Sequence, residues 1–188
     1  MSKGDSELPD LDIDPAEAIR RAKRRQIAEI GIPPKDLELF RGGGFQRTPA
    51  VEELGAPGVL ICLSGNPGSG KTTAAGHRLF LAECGLFLKA ARLSRWQRYD
   101  DDEMEKLFTR NPIVIDDLGT EYQDAKGNFM AILDEVIDVR YDRSRPTYIT
   151  TNLDAAAFKE RYGERIADRI RESGRFVSLS DASMRGRK

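Results

Sequence analysis

Short apolar runs alternate with amphipathic stretches along most of this chain. Val59-Leu60-Ile61-Cys62-Leu63, Leu86 to Ala91, Pro112-Ile113-Val114-Ile115, Thr147-Tyr148-Ile149-Thr150 and Phe176-Val177-Ser178-Leu179 read as buried strands. Between them the pattern turns helical. Helices are predicted over about 70–83 and from Asp101 to Thr109. Phe129, Ile132, Leu133, Val136 and Ile137 mark a longer one, and two further pieces cover about 154–160 and 163–173. Alternation of strand and helix predicts an α/β fold, a five-stranded parallel sheet with helices on both faces.

The N-terminal third reads differently. Residues 1–13 are polar and acidic and are expected to be disordered. A helix opens at Asp14, with Pro15 in its first turn and Glu17 three residues on. Ile19, Ala22, Ile27 and Ile30 fall on one side of it; Arg20, Arg21, Arg24 and Arg25 fall on the other. Gly31-Ile32-Pro33-Pro34 ends it. The expected organisation is a tail plus basic helix over 1–35, a connector over 36–57 and a core over 58–188.

Composition adds little beyond class. Of 188 residues, 39% are hydrophobic and 32% charged, which is globular; a net charge of −1 leaves nucleic-acid binding to local patches. Cys62 and Cys84 read as reduced core thiols. The sequence carries no run of eighteen apolar residues and no signal peptide, so a cytoplasmic location and no membrane partner are expected.

The chemistry starts at Gly65-Asn66-Pro67-Gly68-Ser69-Gly70-Lys71-Thr72, followed by Thr73. This fits the P-loop pattern G-x-x-x-x-G-K-[ST] and lies between a strand and a helix, as that motif requires. Glycines let the backbone wrap phosphates, and the helix N-terminus offers unpaired N–H groups and a positive dipole end. Lys71 can reach β- and γ-phosphates, and the Thr72 hydroxyl can ligate Mg²⁺. The motif points to a nucleoside triphosphate with its metal.

Asp116 and Asp117 end an apolar strand, a Walker B pattern. Asp116 would hold the metal, and Asp117 would orient or deprotonate the attacking water, with Glu121 as a fallback base. The strand from Leu86 lies between the two Walker segments along the chain; that order, with an acid after the Walker B Asp, marks the additional-strand ATPases. Asn152 or Thr151, at the next strand end, is placed to touch the γ-phosphate or the water; Asn152 also suits a helix cap.

Four later segments, IVIDDLGTE (113–121), ITTNLD (149–154), YGERIADRIRE (162–172) and SMRGRK (183–188), together resemble the DnaC/IstB-type helicase-loader ATPases, a branch of the AAA+ proteins. The resemblance runs from about Gly31 onward. It implies ATP and Mg²⁺ as cofactors, Asn152 as sensor 1, Arg169 as an arginine finger acting on a neighbour's ATP, and Arg185 as sensor 2. It implies ATP-linked self-assembly, a replicative helicase as partner and a place on single-stranded DNA. Other readings stay open: an IstB-like transposition helper, a small-molecule P-loop kinase, or a non-hydrolysing ATP switch. Only Gly186, Arg187 and Lys188 follow Arg185, so the helical lid of AAA+ proteins is expected to be absent or vestigial.

The arginines have plainer readings. Arg165 and Arg169 share a helix face, and Arg165 and Arg171 can each pair with Asp168. For DNA, Lys89, Arg92, Arg95 and Arg98 around Trp96 and Tyr99 suit a single-strand groove, although Asp100 to Glu103 follow at once. The basic N-terminal helix is the second candidate. His77 reads as a helix-surface residue.

Overall fold

The computed structural model describes residues 14–45, 48–95, 101–122 and 127–179. Five strands carry the architecture: β1 (Leu60–Ser64), β2 (Leu86–Lys89), β3 (Ile113–Leu118), β4 (Thr147–Thr151) and β5 (Arg175–Ser178). All pair in parallel, in the order β2-β3-β4-β1-β5. The strand from Leu86 does fall between the two Walker segments along the chain, and in space it lies at the sheet edge. It is β4 that separates β1 from β3 in space. That strand also ends at Lys89, where Ala90–Leu93 forms a helical turn, α5.

Because successive side chains leave a strand on opposite faces, each central strand feeds two cores. Leu60, Cys62, Ile113, Ile115 and Ile149 pack with α6 (Asp101–Thr109), α7 (Asn128–Asp142), α8 (Ala155–Tyr162) and α9 (Glu164–Ser173). Ile61, Leu63, Val114 and Tyr148 pack on the other side with α4 (Lys71–Ala82) and the N-terminal helices. Among the described residues no helix is long and apolar enough to cross a membrane.

The connector expected over 36–57 holds two short helices, α2 (Pro34–Arg41) and α3 (Pro49–Gly55). Leu37 and Phe40, and Ala50 and Leu54, are buried beside α4. Their i,i+3 and i,i+4 spacing was visible, but Gly42 to Gly44 split it into pieces too short to register as helices. Arg175 ties β5 back to α3: its guanidinium donates to the Pro57 carbonyl at 2.6 Å and pairs with Glu53 at 3.2 Å.

Helix α1 (Pro15–Glu29) is capped by Asp14, whose carboxylate accepts from the Ala16 N–H at 3.0 Å. Only its far end packs. Ile27 is buried, as is Ile30 just beyond, while Ile19 is 68% exposed. Two more expectations change. His77 is half-buried, its ring against Phe40 and Phe45, and Cys84 is exposed, its thiol donating to the Asn111 carbonyl.

Toward the C-terminal end of α7, Arg140 is fully buried, without a carboxylate partner among the described residues. It donates to Thr147 Oγ1 at 2.6 Å and to the carbonyls of Leu107, Arg110 and Pro146 at 2.7–2.9 Å. Burial lowers its pKa to about 10, so it stays protonated at neutral pH. It sits three and four residues beyond Ile137 and Val136, on the buried stripe of the helix; that register was the signal for a buried cation.

Candidate functional site

The carboxyl ends of β1, β3 and β4 converge on a cavity of about 450 Å³ lined by Pro67, Gly68, Gly70, Lys71, Thr72, Thr73, Lys89, Asp117, Asn152 and Lys35. Such crevices beyond the strand ends are where α/β sheets bind ligands. The loop from β1 to α4 forms its floor. Gly68 (φ 92°) and Gly70 (φ 84°) take left-handed conformations that a side chain disfavours. At Gly65 a Cβ would lie 3.1 Å from the Leu179 carbonyl and 3.2 Å from Ser69 Oγ, so the loop closes tightly there.

Lys71 is buried, and its ammonium donates to the Gly65 carbonyl at 2.5 Å, the Asn66 carbonyl at 3.0 Å and Ser69 Oγ at 3.2 Å. Burial lowers its pKa; the charges of Asp117 and Asp116 oppose that. The loop thus holds a desolvated cation at the base of the cavity.

Asp116 is fully buried. Its Oδ1 accepts from Thr72 Oγ1 at 2.8 Å and from Thr150 Oγ1 at 2.7 Å. Burial raises its pKa, and the Thr150 and Thr72 hydrogen bonds work against that rise. Its Oδ2 is buried with no hydrogen-bond partner among the described residues. A buried carboxylate oxygen without a donor, beside a threonine hydroxyl, fits a hard oxygen-seeking cation such as Mg²⁺.

Asp117 follows in an unusual backbone. Its φ is 58°, and the β3–β4 register shifts between Ile115 and Leu118. Its N–H donates to Thr150 Oγ1 at 2.9 Å, and its carboxylate lines the cavity 3.6 Å from Lys89 Nζ. Thr150 therefore bridges both aspartates. In the sequence Thr150 is one strand threonine beside Thr151, with no local signal that sets it apart.

Of Thr151, the last residue of β4, and Asn152 just after it, only Asn152 lines the cavity. Thr151 is committed to structure: its hydroxyl donates to the Leu118 carbonyl at 2.6 Å and accepts from the Leu153 N–H at 3.1 Å. Glu121 is not a free base. Its carboxylate is buried and accepts from the Gly119 N–H at 2.6 Å, Arg161 at 2.8 Å and the Tyr162 hydroxyl at 2.8 Å.

Arg169 stands away from the cavity lining. On α9, it is 18% exposed at the side chain, ion-paired to Asp138 of α7 and stacked over the Tyr141 ring at 5.4 Å. Arg169 is therefore held by α7 and is not a solvated surface residue. Arg165 pairs with Asp134 and Asp138 and not with Asp168, which takes Arg171 at 2.8 Å. Arg92 and Arg95 are exposed just beyond β2. Trp96, Arg98, Tyr99 and Arg185 lie outside the described residues. On α1, Arg20 and Arg21 pair with Asp14 and Glu17, and Lys23 with Glu83.

No protein-family model matches the chain. YdaV, an uncharacterized protein of Escherichia coli strain K12, is 28% identical over 152 residues, covering 74% of this chain. The chain spans 60% of YdaV's length. Among solved structures, the DnaC helicase loader superposes with a TM-score of 0.56 at 18% identity, over 87% of this chain and 89% of that one. The replication initiator DnaA, bound to AMPPCP and single-stranded DNA, gives 0.57 at 14% identity, over 72% of this chain and 45% of that one. Sheet order, P-loop position and these likenesses agree: the chain has a P-loop NTPase fold, a five-stranded parallel sheet with helices on both faces, shared with the DnaC helicase loader and DnaA.

Proposed function

We propose that this chain binds ATP with Mg²⁺, hydrolyses the ATP on assembly, and assists loading of a replicative helicase onto single-stranded DNA. The observation that carries the reading is the hydrogen-bonded set Thr72–Asp116–Thr150 beside Lys71. It puts a metal-type oxygen pair and a phosphate-type cation at one end of one cavity. When bound, Mg²⁺ would neutralise phosphate charge; Thr72 and Asp116 are the residues that would hold it. Lys71 exchanges its loop carbonyls for phosphate oxygens. Asp117, at the cavity wall, orients a water and accepts its proton; Asn152 orients that water or the γ-phosphate.

Arg169 acts on a neighbouring copy's nucleotide. The Asp138 pair supports this economically: when Arg169 leaves, Asp138 keeps Arg165 as a counter-charge. The fixed guanidinium then stabilises charge developing on the γ-phosphate. The loader role draws on the likeness to DnaC, and the single-stranded DNA on DnaA, which was solved with it. Arg92, Arg95, Trp96 and Arg98 are the residues proposed to meet DNA, and Arg185 to contact ATP.

Lys71→Ala tests the nucleotide reading: it should abolish ATP binding measured by calorimetry, and retained affinity refutes it. Arg169→Ala should bind ATP without turning it over. Mixing it with Asp117→Asn should restore part of the activity; no rescue at any ratio refutes action in trans. Co-elution with the host's replicative helicase in the presence of ATP tests the loading role. Recovery of a transposase instead would favour the transposition reading.

A further inference from the structure

Lys35 belongs to no part of the nucleotide motif, yet it lines the same cavity. It enters from α2, whose first turn it occupies, and it is exposed there. The next residue fixes that turn to the P-loop helix. Asp36 is 4% exposed, and its Oδ1 accepts from Thr73 Oγ1 at 3.1 Å. Thr73 directly follows Thr72, so α2 is tied to the residue beside the metal-type oxygen. Asp36 Oδ2 is buried and has no hydrogen-bond partner among the described residues. It can accept a donor brought by the ligand or by water.

The joint between α1 and α2 is also fixed. The Phe87 N–H of β2 donates to the Ile30 carbonyl at 2.6 Å, and a Cβ at Gly31 (φ 86°) would lie 2.9 Å from the Phe87 carbonyl. Helix α1 thus leaves the body from a joint whose far side, α2, reaches into the cavity.

We propose that Lys35 is a second lysine ligand to the nucleotide's phosphates, and that through it nucleotide occupancy sets how firmly the α1–α2 arm is held. This rests on the nucleotide reading above. A triphosphate carries more negative charge than Lys71 alone offsets, and Lys89 already faces Asp117. The Lys35 ammonium, at the rim and without an ion-pair partner among the described residues, is drawn to the phosphates. With Lys35 on the phosphates, the ligand adds a second tie beside the one from Asp36 to Thr73, and the hold on α2, and so on the base of α1 with its basic face, becomes linked to occupancy. The arm, not the catalytic set, would then report the nucleotide state to a partner.

The test compares the full chain with Lys35→Gln and Lys35→Arg, using ATP with Mg²⁺ as the probe. In calorimetry Lys35→Gln should bind roughly tenfold more weakly, and Lys35→Arg within about threefold of the parent. In hydrogen exchange, ATP should slow the amides of 30–40 and of 65–75 in the parent. Lys35→Gln at saturating ATP should lose the slowing over 30–40 and keep it over 65–75; Lys35→Arg should regain it. Slowing over 30–40 that persists in Lys35→Gln, with affinity within twofold of the parent, overturns the proposal alone. A parent chain that binds no ATP overturns it together with the nucleotide reading.

Discussion

Thr150→Val removes one hydroxyl from the centre of the site and nearly keeps the volume. Two hydrogen bonds go with it: the donation to Asp116 Oδ1 at 2.7 Å and the acceptance from the Asp117 N–H at 2.9 Å. A bond to a charged group contributes about 1.5–3 kcal/mol and a neutral one about 0.5–1.5. Valine recovers part of this, because the hydroxyl no longer has to be desolvated, leaving about 1–3 kcal/mol of destabilisation. Against a typical domain stability of about 5–15 kcal/mol that is large. Urea unfolding followed by circular dichroism should show the midpoint falling with the slope unchanged. The same substitution removes a bond that holds the Asp116 pKa down, so the carboxylate becomes harder to ionise and the Mg²⁺ concentration for half-maximal ATP turnover rises. Thr150→Ser, which keeps the hydroxyl, should restore both properties. A Val variant within about 0.5 kcal/mol of the parent, the usual effect of an innocuous surface change, with an unchanged Mg²⁺ requirement, refutes the bridging role.

Three further outcomes are expected. Arg140→Met removes a buried cation's donations to the Leu107, Arg110 and Pro146 carbonyls and to Thr147 Oγ1, so it should cost about 3–5 kcal/mol in the same unfolding assay; a loss under about 1 kcal/mol refutes the assignment. Asp116 has a raised folded pKa, so it binds its proton more tightly folded than unfolded: as pH rises through the ordinary carboxylate range to the folded value, ionisation withdraws stability. On acidification through that folded pKa, Mg²⁺ affinity measured at fixed ATP should fall in the parent, and this component should vanish in Asp116→Asn; identical profiles refute it. Glu121→Gln weakens charged hydrogen bonds to Arg161 and the Gly119 N–H and should lower the unfolding midpoint, but turnover per folded molecule should stay within threefold of the parent, whereas a loss of two orders of magnitude would make Glu121 the base.

Much of this architecture was legible because its causes are local. Fully buried parallel strands write themselves as apolar runs, and a P-loop is a contiguous segment whose backbone does the binding. The pairing of Asp116 with Thr72 follows once β1 and β3 are known to end at one edge. What stayed hidden depends on distant partners. Thr150 looks like any strand threonine until β3 brings two aspartates beside it. Glu121 looks like a spare acid until α8 supplies Arg161 and Tyr162. The arm at α2 escaped because its buried positions are few and Gly42 to Gly44 interrupt them.

The kink at Asp117 has a consequence for transplanting this site. On a regular strand, neighbouring side chains face opposite sides of the sheet. Here the left-handed residue and the register shift bring Asp117 to the cavity wall while Asp116 reaches Thr72. Copying the two aspartates onto an unkinked strand of another sheet would deliver one carboxylate to the ligand and send the other into the opposite core. A designer would have to carry over Thr150 and the bent backbone along with the acids. The inheritable unit is the pair of strands, not the dipeptide.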